Sequence, residues 1–286
     1  MVRGIAFLVG AAFAAVLAWA LLWTVQGWIT DPPAPTAEEE FHLHPRPANL
    51  RSDGIAGKFD KQQLQRGFQV YKEVCAACHS LRFVAFRDLE GIGYNEGQVK
   101  AIAAGYDTVP TINPDTGEPA TRKGVPADRF PMPFANDIAA RAANNNAVPP
   151  DLSYITRSRH GGADYVYSLI TGYRDQASFK NEKGESLLKA FPDIATPKGL
   201  YFNPYFANLN IAMPPPLKSE GQVQYADGTK PTVDSMARDV SAFLVWAADP
   251  SLEKRHQYGF FAVIFLLISS VLAYGAYRNV WRDVKH

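Results

Sequence analysis

The sequence predicts a mainly α, loop-rich domain carried between two membrane-spanning helices. Three observations predict it. Uncharged apolar runs stand at both ends, from Gly4 to Ile29 and from Gly259 to Tyr277, each long enough for the roughly 17–25 residues that a spanning helix needs. Apolar residues between them recur at helical steps of three and four, around residues 64–78 and again around 233–244. Pro and Gly number 21 each, which favours long loops over long regular elements.

Composition narrows the class further. Hydrophobic residues make up 47% of the 286, enough for a packed core. The formal net charge of +1 lacks the basic excess of a nucleic-acid binder. Cys75 and Cys78 are the two cysteines, which excludes a multi-disulfide scaffold and any cysteine-only zinc or iron–sulfur site built within the chain.

In chain order, residues 1–29 read as a retained transmembrane helix. Arg3 and Ala18-Trp19-Ala20 also suit a signal-like segment with a cleavage site, but a signal's apolar region spans only about 7–15 residues. Trp19, Trp23 and Trp28 suit a membrane interface. Residues 30–57 read as a Pro/Glu-rich linker, because proline stiffens Asp31–Glu40 and the run Glu38-Glu39-Glu40 solvates it. Residues 58–250 form the exposed domain. Residues 259–277 are the second anchor, with Tyr274, Tyr277 and Trp281 at interfacial depth. Arg278, Arg282 and Lys285 make 278–286 a basic cytoplasmic tail by the positive-inside rule. Two spans place both termini inside and the central domain outside.

Leu64, Phe68, Tyr71, Val74, Cys75 and Cys78 trace one apolar helical face into Cys75-Ala76-Ala77-Cys78-His79. Two thiols three residues apart can form thioethers with the vinyl groups on one haem edge, and His79 can turn its imidazole under the iron. C-x-x-C-H therefore reads as a c-type haem attachment site. The competing readings are a thiol–disulfide pair, half a zinc site and coincidence. The following histidine, the translocated location and the absence of further cysteines favour haem.

A sixth iron ligand has several candidates. His42, His44, His256 and His286 stand in solvated or membrane-edge positions, while His160 is open. Met1 is on the wrong side. Met236 belongs to the apolar face of a helix that starts at Pro231-Thr232 and stops by Pro250, which points to core packing. Met132 in Phe130-Pro131-Met132-Pro133-Phe134 and Met213 in Ile211-Ala212-Met213-Pro214-Pro215-Pro216 are both clamped by prolines. Pattern alone leaves these two equal. His/Met ligation suits electron transfer.

The stretches Arg66–His79, Ala142–Ser153, Arg159–Tyr167, Tyr201–Phe206, Ala212–Pro215 and Tyr225–Thr229 through Trp246, followed by the tail anchor, together resemble the cytochrome c1 family, the haem subunits of cytochrome bc1 complexes of alphaproteobacterial and mitochondrial type. The resemblance spans about 55–286. It implies a class I-like cytochrome c domain with long loops, a single covalently attached haem c, and Met213 opposite His79 as the second metal ligand. It further implies that Asn144, Pro150, Arg159, Tyr165, Phe206 and Ile211 line the haem. Arg159 and Tyr165 would face the propionates, and Arg157 would be a solvated surface residue.

The implied function is an electron-transfer subunit of ubiquinol–cytochrome-c reductase, with no bond chemistry of its own. It would accept one electron from a Rieske iron–sulfur protein and donate it to a cytochrome c. Cytochrome b would be its partner in a dimeric complex, with the haem domain on the periplasmic side of the inner membrane and no nucleic acid involved. A free membrane-tethered cytochrome c shuttle and a periplasmic thiol–disulfide oxidoreductase are the alternatives. One departure stands out: many bacterial relatives brace the ligand-methionine loop with an extra cysteine pair, and this chain has none.

Overall fold

A computed structural model describes residues 2–32 and 34–283. Met1, Pro33 and residues 284–286, which include Lys285 and His286 of the basic tail, lie outside it. Ten α-helices follow in order among the described residues: α1 (Val2–Thr30), α2 (Ala37–Phe41), α3 (Lys61–Glu73), α4 (Glu96–Ala104), α5 (Asp137–Ala143), α6 (Ile155–Ser158), α7 (Gly162–Thr171), α8 (Leu187–Ala190), α9 (Val233–Ala248) and α10 (Leu252–Trp281). Short 3₁₀ segments cover Cys75–Ala77, Phe86–Ile92 and Pro192–Ile194. Two antiparallel pairs add the only strands described, β1 (Val109–Ile112) with β2 (Pro119–Arg122) and β3 (Tyr201–Phe202) with β4 (Asn210–Ile211). The mainly α expectation therefore holds, with the two small ladders as additions.

The terminal helices present apolar side chains on every face with almost nothing buried beneath them. A helix that is apolar all round and unpacked needs a non-aqueous surrounding. The anchor read at 259–277 sits inside α10, which starts seven residues earlier at Leu252.

The domain is built on the crossing of α3 and α9. Asp60 caps α3 by accepting from the backbone N–H groups of Gln62 and Gln63, and Thr232 caps α9 by accepting from that of Ser235. Gly67 lets the two backbones touch: a Cβ there would overlap the Asp239 carbonyl oxygen and press within 2.8 Å of the Phe243 Cβ. Around this point Phe68 and Tyr71 pack on Phe243, with ring centroids 5.6 and 5.8 Å away. Met236 is fully buried in the same core, the packing role its helix pattern implies. Beside the crossing, Arg66 donates to Asp239 at 2.8 Å and to Asp227 at 2.7 Å, and its guanidinium stacks on the Tyr225 ring.

The segment read as a linker, residues 30–57, packs against the domain at Ala37, Phe41, Ala48 and Leu50. Thr36 and Glu39 form a reciprocal capping box, so the acidic run supplies the first turn of α2 instead of a solvated spacer. Phe41 is buried against Phe179 and Phe191. The chain then runs as a strap over α7. Arg46 lies over the rings of Tyr167 and Tyr205 at 5.2 and 5.4 Å, and donates to Thr171 at 2.6 Å. The Ala48 N–H donates to Asp164, and the Ala48 carbonyl accepts from Arg238.

Candidate functional site

The two thiols sit where α3 gives out. Its last regular residue is Glu73, and the chain tightens into the 3₁₀ turn Cys75–Ala77. The expectation of one continuous α-helical face is thus corrected: in a 3₁₀ turn residues three apart eclipse one another, which brings Cys75 and Cys78 to one side. The N–H groups of Cys78 and His79 both donate to the Cys75 carbonyl, at 3.1 and 2.9 Å. Burial, reinforced by Cys78, pushes the Cys75 thiol up to about 12. A thiol–disulfide enzyme needs a depressed thiol pKa, so the site lacks the electrostatics of that rival reading.

His79 is held by the opposite wall. Its Nδ1 lies 2.8 Å from the Pro150 carbonyl oxygen. As donor to that oxygen, Nδ1 carries the proton and Nε2 keeps its lone pair for a metal. Burial lowers the imidazole pKa below its usual value, against the raising effects of the Pro150 hydrogen bond and Asp151. The neutral, ligating form is therefore favoured.

Asp151 locks the two walls together, a role that sequence reading missed. It accepts from the Ser80 hydroxyl at 2.7 Å, the Arg82 N–H at 2.9 Å and the Ser153 N–H at 3.0 Å. Burial opposes its ionisation, yet these hydrogen bonds hold its carboxyl below the usual range. Its position directly after Pro149-Pro150 was the available signal.

The remaining expected lining residues come from three places. Asn144 ends α5 and donates to the Ala140 carbonyl at 2.7 Å. Asn145 and Asn146 follow with φ of 49° and 63°, a left-handed turn that asparagine tolerates and that redirects the chain into Pro149 and Pro150. Arg159 follows α6 with an exposed side chain, and burial raises the pKa of the half-buried Tyr165 hydroxyl against the lowering effect of the Arg159 charge. Phe206 lies in the turn between β3 and β4, and Ile211 is buried in β4. Arg157 is exposed, as the surface reading expects, and it also pairs with Asp249, which accepts from Arg255 at 2.7 Å at the head of α10.

The two methionines left equal by pattern have different surroundings. Met132 is 57% exposed and lines a cavity of about 30 Å³ beside Cys78. Met213 is half-buried two residues after β4, and its carbonyl accepts from the Tyr173 hydroxyl at 2.9 Å. Two thiols on one turn and an imidazole whose Nε2 keeps its lone pair form a donor set that fits a covalently attached haem.

Known proteins match this chain over most of its length. The model of the Cytochrome C1 family matches residues 50–284. A Rhodospirillum rubrum protein named cytochrome c1 is 44% identical over 82% of this chain and 86% of its own length. An Arabidopsis thaliana mitochondrial cytochrome c1 heme protein is also 44% identical, over 82% of this chain and 71% of its own. The Candida albicans mitochondrial protein named as a cytochrome b-c1 complex catalytic subunit is 41% identical over 86% of this chain and 81% of its own. With the helical domain, the C-x-x-C-H turn and two apolar terminal helices already in place, this extent of similarity makes the chain a member of the cytochrome c1 family.

Proposed function

We propose that this chain is the haem c subunit of a cytochrome bc1 complex, taking one electron from a Rieske iron–sulfur protein and passing it to a cytochrome c. The observation that carries the reading is the 2.8 Å approach of His79 Nδ1 to the Pro150 carbonyl, which leaves Nε2 free beside two cysteines on a single turn. Covalent haem, when bound, supplies reversible one-electron storage. The chain's residues supply everything around that step. Cys75 and Cys78 fix the group's position, His79 and Met213 provide a nitrogen and a sulfur donor, and Asn144, Pro150, Phe206 and Ile211 exclude water. Arg159 and Tyr165 present a cation and a hydroxyl to the propionates. A His/Met pair raises the potential, as a late acceptor requires.

The terminal helices suit an integral subunit. With α1 and α10 both spanning the inner membrane, the haem domain of residues 58–250 faces the periplasm and the C-terminus the cytoplasm, and the complex is dimeric. The stretch between the two spans, residues 30–258, carries 27 Asp and Glu against 25 Lys and Arg, a slight acidic excess that favours electrostatic docking of a basic cytochrome c. Affinity purification of the chain from membranes in mild detergent tests the reading. Co-purification of cytochrome b and a Rieske protein is expected; recovery of the haem protein alone would make it a free membrane-tethered shuttle.

A further inference from the structure

The Met213 loop has little backbone support. Residues 214–216 are prolines without N–H groups. Among the described residues, no backbone–backbone hydrogen bond joins residues 212–217 to the remainder of the domain. The loop's carbonyls are reached by two side chains. Gln222 donates to Pro216 at 2.9 Å, and the Tyr173 hydroxyl lies 2.9 Å from the Met213 carbonyl and 3.5 Å from that of Pro214.

Tyr173 is placed for this by its own surroundings. It follows Gly172, where a Cβ would overlap the Tyr205 ring, so the chain leaves α7 in close contact with the β3–β4 turn. Asn203 donates to the Leu169 carbonyl at 2.7 Å and ties the end of α7 to that turn. The same turn delivers Met213 two residues after β4. Tyr173 is half-buried, with Tyr165 and Tyr201 near enough to act electrostatically on its hydroxyl.

We infer that Tyr173 is the positioning residue of the methionine loop, its hydroxyl holding the Met213 carbonyl so that the thioether stays presented to the iron. This rests on Met213 being the ligand. The chain has no cysteine beyond Cys75 and Cys78 to brace this loop, and the hydrogen bond from Tyr173, just past the end of α7, supplies the restraint at Met213.

The test uses the full-length holoprotein in detergent. Tyr173→Phe keeps the ring and removes the donor. Transient release of the loop should rise about fivefold, the equivalent of one net hydrogen bond, read as a matching increase in the rate of cyanide binding to ferric haem. The ferric sulfur-to-iron charge-transfer band should weaken, while the thermal midpoint of the domain stays within a few degrees of wild type. Tyr201→Phe, which removes a neighbouring hydroxyl, should leave cyanide binding unchanged. Difluorotyrosine incorporated at position 173, a stronger donor of the same shape, should slow cyanide binding and covers the case in which Tyr173→Phe fails to assemble. Met213→Leu separates the two claims. If it abolishes the charge-transfer band while Tyr173→Phe binds cyanide at the wild-type rate, the positioning role is overturned and the ligand stands. If Met213→Leu keeps the band, the ligand assignment falls and takes the positioning role with it. Equal acceleration by Tyr173→Phe and Tyr201→Phe would show general packing and also overturn the inference.

Discussion

The Nδ1 atom of His79 lies 2.8 Å from the carbonyl oxygen of Pro150, a residue 71 positions further along the chain. Asp151 secures that approach from the next residue by gathering Ser80, Arg82 and Ser153. Hydrogen bonds to a charged group contribute about 1.5–3 kcal/mol each. Asp151→Asn retains the shape but loses the charge, and should destabilise the domain by about 2 kcal/mol in a denaturant titration.

The same carboxylate gives a pH dependence. Its hydrogen bonds hold its folded pKa below the usual value of 3.8. A depressed pKa contributes stability that is full above the unfolded pKa and is lost as pH falls through the folded one. Wild type should therefore lose stability relative to Asp151→Asn as pH drops from about 5 to below 3.8. Thermal melts across that window check this, and a constant difference between the two proteins would remove Asp151 from the acid response.

Gly67→Ala sets two effects against each other. Alanine gains about 1 kcal/mol of helix propensity over glycine. The added Cβ overlaps the Asp239 carbonyl and crowds Phe243, and overpacking costs about 1–3 kcal/mol or more. The obstacle is backbone, which cannot rotate away, so the clash should win. A net loss of about 2 kcal/mol is expected from equilibrium unfolding.

The two carboxylates on Arg66 should differ. The Asp239 side chain is 3% exposed and that of Asp227 is 31% exposed. Breaking a buried pair costs about 3–5 kcal/mol, whereas an exposed pair is worth about 0–1 kcal/mol. Asp239→Ala should therefore destabilise by about 3 kcal/mol and Asp227→Ala by under about 1 kcal/mol, measured on the same denaturation curve.

Arg46→Ala should release the strap. It removes two ring contacts and the bond to Thr171, worth about 1–3 kcal/mol together. Limited proteolysis should then cut between residues 42 and 50 faster than in wild type, with the haem spectrum unchanged.

Local pattern exposed much of the molecule and long-range pairing little. The terminal helices were legible because an unbroken apolar run has few other uses. Helix α9 was legible from its Thr232 cap and its face of Met236, Val240, Phe243 and Leu244. The C-x-x-C-H turn carries its chemistry in five consecutive residues. Nothing near Arg46 signals that it will lie over Tyr167 and Tyr205, and nothing beside Arg157 announces Asp249. Such pairs depend on where the chain returns, and an arginine amid polar neighbours looks solvated in sequence. Gly67 was the exception, a glycine inside an amphipathic helix that could have flagged a close crossing. Tyr173 and Asp151 escaped for the first reason: each acts on backbone atoms far away in sequence.

Covalent haem at Cys75 and Cys78 is the central claim, and haem quantification on the purified full-length chain tests it most directly. The account predicts equimolar haem that resists extraction by acidified acetone, a reduced pyridine adduct with the spectrum of a doubly thioether-linked haem, and loss of that spectrum in both Cys75→Ala and Cys78→Ala. Haem that acidified acetone strips from the wild-type protein, or a cysteine variant with an unaltered adduct spectrum, would contradict it.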